Sequence, residues 1–322
     1  MTIDFAELPD GFELLNDEPD FNPAHHLALE MPEVIESLSD FGYDDETIAS
    51  CPSDFAVTSV FRVLSEEGAA CLRFVCDQLE AFTTSNARIE RNVRGGVYRS
   101  RFLRDLCLSP DVTDFMSQIA KVSLAPHSIA HQLGHLNYNP MQVGKNVDKW
   151  HVDTLRYDYV MFVTDPQSVK GGAFQYYRGT KDEVAHLKAQ GKALHQDKII
   201  SPNMPGPGYA VLQQGNMVVH QAKGLEEEGR RITMVNGYVA ADPLIEDYSR
   251  YDQLSLVDPA HIVTAEYARH EAVRAHQLIQ QAGFNQDRQI YISHLKEAAR
   301  RLEQAATIIE NADSAQIEHF GD

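Results

Sequence analysis

Between Ser128 and Ala240 the chain is written in short runs of Val, Tyr, Phe and Ile that Gly and Pro keep interrupting. Trp150–Thr164 reads as one or two strands, and Ala173–Tyr177, Gly208–Gln213, Met217–His220 and Arg231–Val239 as one each, with a turn at Gly171-Gly172 and a Pro/Gly loop from Pro202 to Pro207. Many short strands closed by such turns predict a sandwich or barrel. No alternation of strand and helix is present, which excludes a doubly wound parallel sheet. Ser128–Asn139 also alternates, but with polar groups on both faces: His131, His135 and Asn137 on one, Gln132 and Tyr138 on the other. A half-buried strand has one polar face; two polar faces suit the wall of a polar cavity.

The flanks read differently. Residues 1–50 carry Pro9, Pro19, Pro23 and Pro32, which break any long helix; a wrapping arm with one short helix near Glu33–Ser39 is expected. Ser65 is a good N-cap for a helix that opens on Glu66-Glu67, and Leu72, Val75, Leu79 and Phe82 recur at helical spacing after it. Arg88–Arg101, with Gly95-Gly96, reads as a strand with a turn or as a loop. Phe102–Val122 is helical with a break at Ser109-Pro110. From Thr264 to Asn311 the composition turns to Ala, Gln, Glu and Arg. Leu295, Leu302 and Ile309 recur every seven residues there, an amphipathic helix. Gly283-Phe284-Asn285 breaks this region into a helical hairpin that packs on the barrel or forms a homodimer interface. The expected organisation is an N-terminal arm and helices over 1–90, a β core over 91–245 and a helical extension over 246–322, joined as one integrated domain.

Composition excludes several partners. The 322 residues carry 28 Lys+Arg against 47 Asp+Glu, a net charge of −19. Such a chain repels phosphate backbones and has no basic stripe, so no nucleic-acid partner is expected. No stretch approaches the roughly 20 apolar residues of a membrane span, so no membrane partner is expected. Met1 to Asp20 is acidic, without the cationic flank and apolar run of a secretory leader; a cytoplasmic location is expected. Cys51, Cys71, Cys76 and Cys107 have no metal-knuckle spacing and read as buried thiols of a reducing compartment.

Three short segments carry chemistry: Trp150-His151-Val152-Asp153, Gly215 to His220, and Arg230-Arg231-Ile232-Thr233, in which Arg231 follows His220 by eleven residues. Residues two apart on extended backbone point to one side, so His151 and Asp153 can reach one point. In an antiparallel barrel, His220 can be brought across to it. Two imidazoles and one carboxylate on one face of an octahedron form the triad of non-haem Fe(II) oxygenases and leave three positions for a chelating co-substrate and dioxygen. A dicarboxylic co-substrate has a second carboxylate to neutralise, and the planar fork of Arg231 suits it. Thr233, on the same strand face, adds a hydroxyl. A register slip of one residue would exchange Arg231 for Arg230.

His-x-Asp, a distal His and Arg-x-Thr on the closing strand together resemble the Fe(II)/2-oxoglutarate-dependent dioxygenases, most closely the phytanoyl-CoA hydroxylase-like branch. Trp150 before the first His, Gly171-Gly172-Ala173-Phe174 and the Gly215 turn belong to the same likeness, which covers about Ser128 to Ala240 plus a helical entry at Phe55–Phe82. The resemblance implies a mainly β fold with helical additions. Its core would be a double-stranded β-helix of jelly-roll or cupin-like form, flanked by N-terminal helices and a C-terminal helical hairpin. It further implies Fe(II), 2-oxoglutarate as co-substrate and O2. The implied reaction is hydroxylation of an unactivated C–H of a small molecule, with release of succinate and CO2. Relatives that transfer halide carry a small residue at the carboxylate position; Asp153 fills it, which disfavours halogenation.

Other residues are weaker candidates. Asn137 and Tyr138 are expected to touch 2-oxoglutarate, and His135, Arg156 and Trp150 to line the substrate side, with Trp150 helping to exclude water. Arg94, Arg99 and Arg101 read either as a solvated polar strand or as a clamp for an anionic substrate, with Arg101 the candidate clamp. His270 and His276 fall on different helix faces and are expected to be exposed. Two other readings stay open: a non-catalytic cupin-like binding protein with a vestigial metal site, and a metal-dependent isomerase or dioxygenase that does not use 2-oxoglutarate. Desaturation, epimerisation and cyclisation share the same metal site.

Overall fold

Tyr157–Phe162 is buried along its whole length, and its two faces serve different layers. Tyr157, Tyr159 and Met161 enter a core shared with helices, while Val160 and Phe162 enter a second core shared with another sheet. That double burial explains why the segment is almost continuously apolar. The computed structural model describes residue 5, residues 7–284 and residues 287–312.

Among these residues lie thirteen strands: β1 (Ile35–Ser37), β2 (Phe55–Thr58), β3 (Phe61–Arg62), β4 (Asn92–Val93), β5 (Leu124–Pro126), β6 (His135–Tyr138), β7 (Asp148–His151), β8 (Tyr157–Phe162), β9 (Phe174–Tyr177), β10 (Ile199–Ile200), β11 (Tyr209–Gln213), β12 (His220–Ala222) and β13 (Ile232–Ala240). The major sheet runs β1-β2-β11-β8-β13-β6-β4, with β3 on β11 and β5 on β13; the minor sheet runs β10-β9-β12-β7. Every pairing is antiparallel. The two sheets face each other as a double-stranded β-helix, and the site opens between them.

The helices are α1 (Pro23–His26), α2 (Asp45–Ala49), α3 (Glu66–Leu79), α4 (Arg101–Cys107), α5 (Pro110–Ala120), α6 (Lys181–Ala189), α7 (Tyr251–Val257), α8 (Ala260–Gln281) and α9 (Arg288–Asn311). Ser65 caps α3 by accepting from the Gly68 N–H, and Ser109-Pro110 closes α4 and opens α5 as cap and first residue. Leu72, Val75, Leu79, Leu103 and Phe115 join the outer face of the major sheet in one core.

Several local expectations are corrected. Glu33–Ser39 is not helical: Ile35–Ser37 pairs with β2 and a capped 3-10 turn follows. The segment before residue 91 contributes strands as well as helices, since β1, β2 and β3 all belong to the major sheet. His270 is wholly buried, hydrogen-bonded to Ser128 and Asp247. On α9 the buried positions are Ala298 and Ala305, while Leu295 and Leu302 are 53% and 43% exposed. Asn285 of the expected break lies outside the described residues. The C-terminal helices are tied down by polar links, with Glu266 accepting from Tyr98 and bonding His131, and Arg94 bonding Asp258. No helix among the described residues is long and apolar enough to cross a membrane.

Candidate active site

β7 and β12 pair so that His151 lies opposite His220, their ring centroids 4.2 Å apart. Asp153 follows β7, and its N–H donates to the Gly215 carbonyl at 2.9 Å. Its Oδ1 lies 3.4 Å from His151 Nε2 and its Oδ2 3.2 Å from His220 Nε2. The three ligand atoms fall within 4.8 Å of one another, and all three residues line one pocket. Gly215 is required here: a Cβ would stand 2.8 Å from Asp153 Oδ2 and 2.3 Å from Asp158 Oδ2.

Backbone carbonyls set both rings. His151 Nδ1 donates to the Lys149 carbonyl at 2.6 Å and His220 Nδ1 to the Val218 carbonyl at 3.0 Å, which turns both Nε2 atoms inward as ligands need. Burial pushes His151 below the usual imidazole range. Burial also opposes charge on His220, but Asp153 and Asp158 outweigh it and raise His220 to about 9. The two rings in turn hold the Asp153 carboxyl well below its ordinary range, against burial. Asp153 and His220 are therefore an ion pair, and a divalent cation would take the place of its proton. Behind them Gln213 Nε2 donates to Asp158 Oδ1 at 3.0 Å and reaches Asp153 Oδ2 at 3.4 Å.

β13 brings the second feature. Its register sets Thr233 opposite Asn137 of β6 and Val235 opposite His135, and Arg231, Thr233 and Val235 face the pocket. Arg230 points outward to Asp77 and Glu80. Arg231 is 1% exposed; Nε donates to the Gly172 carbonyl at 2.6 Å and Nη1 to Thr233 Oγ1 at 3.2 Å. Gly172 has φ +73°, and a Cβ there would meet Arg231 Cδ at 3.0 Å, so Gly is needed to bring that carbonyl close. Nη2 has no partner, and no carboxylate among the described residues pairs with the guanidinium. Burial alone lowers Arg231 to about 10. A buried cation without an anion is costly, and a carboxylate entering this pocket would relieve it.

Of the other candidates, Asn137 and His135 also line the pocket, with Asn137 Oδ1 and His135 Nε2 unpartnered. Four candidates sit elsewhere. Tyr138 alternates to the helix side of β6 and donates to the Cys76 carbonyl at 2.7 Å. Trp150 lies on the outer face of the minor sheet against Tyr177, Val184 and Val219. Arg101 begins α4, half exposed, and pairs with Glu18. Arg156 is buried under Tyr248, its Nε bonded to the Glu246 carbonyl.

Strand alternation alone would not find Asp148 or Arg88. The β7–β12 register runs from His151↔His220 to Asp148↔Ala222, a bulge of one extra residue in β7. Asp148 and His151, three apart, thus share the pocket face. Asp148 accepts from Arg88 Nη2 at 2.6 Å. A 3-10 turn at Ala130–Gln132 breaks the alternation expected there, sending His131 to Glu266 and Gln132 to the pocket. Arg94 lines the pocket as well; its paired acid, Asp258, is far off in sequence.

Residues 43–258 match the family model described as Halogenase D. Similar solved structures include EctD from S. alaskensis with bound Fe (15% identity, 71% of this chain and 85% of that chain, TM-score 0.46). Others are the non-heme alpha ketoglutarate dependent epimerase SnoN from nogalamycin biosynthesis (14%, 58% and 78%, 0.43) and AviO1 from Streptomyces viridochromogenes Tue57 (15%, 58% and 90%, 0.44). No curated protein matches the chain.

Proposed function

The chain belongs to the Halogenase D family of Fe(II)- and 2-oxoglutarate-dependent oxygenases, and on that premise we propose that it hydroxylates an unactivated C–H of a small molecule. The family's cofactors are Fe(II), 2-oxoglutarate and O2. His151, Asp153 and His220 fit the metal: two imidazole nitrogens and one carboxylate converge with tautomers already set. Bound there, Fe(II) with 2-oxoglutarate and O2 supplies the oxidant that breaks the C–H bond, with succinate and CO2 as co-products.

This chain's residues supply position and field. Arg231 and Thr233 hold the distal carboxylate of 2-oxoglutarate, and Asn137 stands beside them on β6. Gln213 and Asp158 brace Asp153 from behind. Phe174, 5.8 Å from the His220 ring, and Val235 keep water from the wall between the sheets. The observation that carries this reading is Arg231, a fully buried cation with a free Nη2 in the metal pocket. A vestigial binding barrel, or an isomerase or dioxygenase without 2-oxoglutarate, gives that cation no role.

Hydroxylation is favoured over halide transfer by Asp153, whose oxygens reach both imidazoles and fill the position a halide would need. The test is Fe(II)-dependent conversion of 2-oxoglutarate to succinate in chloride-free buffer, with His151→Ala as control. Turnover that needs no chloride and is lost in the variant is expected. Turnover that appears only with chloride would overturn the choice of hydroxylation.

A further inference from the structure

One side chain sets two others in the pocket wall. Arg94 Nε donates to both oxygens of Asp258, just past α7, at 2.6 and 2.8 Å. Its Nη1 lies 3.1 Å from His135 Nδ1, and its Nη2 donates to Gln132 Oε1 at 3.3 Å. A guanidinium has donors only. His135 must therefore accept at Nδ1 and carry its proton on Nε2. Gln132 must present its oxygen to Arg94 and its NH2 group away from it. His135 Nε2 and Gln132 Nε2 are both buried without a partner, and both residues line the metal pocket. Buried donors are rarely left unpaired, and these two face the pocket, where a ligand or a water that the ligand displaces would take them.

The carboxylates of the same pocket are already committed. Asp153 is engaged by His151 and His220, Asp158 Oδ1 accepts from Gln213, and Asp148 holds Arg88. Around Arg94 the wall offers fixed N–H donors, while the unpartnered side-chain oxygens of the pocket, Asp158 Oδ2 beside Asp153 and Asn137 Oδ1 opposite Thr233, lie with the metal-site residues and the Arg231 strand; Leu155, Leu254 and Val257 give the pocket an apolar side.

We propose that the substrate docks through an sp2 oxygen, a carboxylate or carboxamide carbonyl, received by His135 Nε2–H and Gln132 Nε2–H, and not through a protonated amine. Arg94 is the positioning residue, holding the tautomer of one donor and the amide orientation of the other. The proposal rests on the oxygenase reading only for the statement that this ligand is the substrate.

The test compares hexanoate, hexanamide and hexylamine by calorimetry on anaerobic Fe(II)-loaded protein, with 2-oxoglutarate titrated separately on the same samples. Hexanoate and hexanamide should bind, and hexylamine about ten-fold or more weakly. His135→Phe and Gln132→Leu should each weaken hexanoate about ten-fold while leaving 2-oxoglutarate affinity unchanged, and His135→Gln should restore part of the loss. Nitrogen-15 spectra of labelled histidine should place the His135 proton on Nε2, with the signature lost in Arg94→Met. Hexylamine binding as tightly as hexanoate, no binding of hexanoate or hexanamide, or unchanged affinity in both donor variants would overturn the proposal. Failure of 2-oxoglutarate to bind would count against the oxygenase reading, and the ranking of the three probes would still decide this one.

Discussion

Arg231 Nη1 lies 3.2 Å from Thr233 Oγ1 on the same face of β13, and the guanidinium has no carboxylate partner among the described residues. A charge-assisted pair to the distal carboxylate of 2-oxoglutarate would be strong in such a buried place. Arg231→Met should raise the Kd for 2-oxoglutarate about 100-fold, about 3 kcal/mol, with metal affinity little changed. The buried charge disfavours the folded state at neutral pH, because burial lowers Arg231 to about 10. The variant should therefore melt no lower than wild type without 2-oxoglutarate, and should lose the rise in Tm that 2-oxoglutarate gives wild type. Thermal melts with and without the co-substrate check both statements.

Gln213 braces Asp153 from behind. Its Nε2 bridges Asp158 Oδ1 and Asp153 Oδ2. Loss of such an outer partner costs about 10–100-fold in metal affinity. Gln213→Leu should show that loss in a Co(II) titration followed by visible absorption, with the far-UV spectrum unchanged.

Arg88 and Asp148 form a part-buried ion pair in the pocket wall, 2.6 Å apart, with the Asp148 end buried. Removing one partner of such a pair leaves an uncompensated charge and costs about 3–5 kcal/mol. Asp148→Ala should lower urea stability by that order, and Arg88→Met/Asp148→Leu should recover most of it. Equal losses in the single and double variants would mean that the pair is not what holds this wall.

Asp247, in the segment between β13 and α7, fastens that segment to His270 and Arg274 of α8. Burial works against its charge, but His270 with His127 and Arg274 holds the carboxyl well below its ordinary range. A depressed carboxylate contributes stability at neutral pH that is lost as pH falls below the unfolded value near 3.9. Wild type should lose stability steeply on the acid side, and Asp247→Asn should be less stable at pH 7 with a flatter acid limb. Urea melts from pH 7 to pH 3 measure the difference.

The clustering of His151, Asp153, His220 and Arg231 in one pocket was legible in the sequence for physical reasons. His151 and Asp153 are two apart on extended backbone, His220 enters from a paired strand, and Arg231 and Thr233 share a face of β13. The same alternation misplaced Tyr138, whose face of β6 belongs to the helix-side core. It could not foresee the bulge that turns Asp148 inward, nor the 3-10 turn that exchanges His131 for Gln132. Arg101 read as an anion clamp and Arg156 as a residue of the substrate side because charge in sequence does not tell which acid or carbonyl will meet it. Here Glu18 and the Glu246 carbonyl do. On α9 the heptad leucines suggested the packed face, but Ala298 and Ala305 are the positions buried.

In the proposed reading His151, Asp153 and His220 hold Fe(II) while Arg231 holds the 2-oxoglutarate chelated to it. Anaerobic addition of Fe(II) and then 2-oxoglutarate to the apo-protein, followed in the visible spectrum, tests it most directly. A weak metal-to-ligand charge-transfer band should appear in wild type, vanish in His220→Ala and need far more 2-oxoglutarate in Arg231→Met. No band in wild type, together with no 2-oxoglutarate binding by calorimetry, would contradict it.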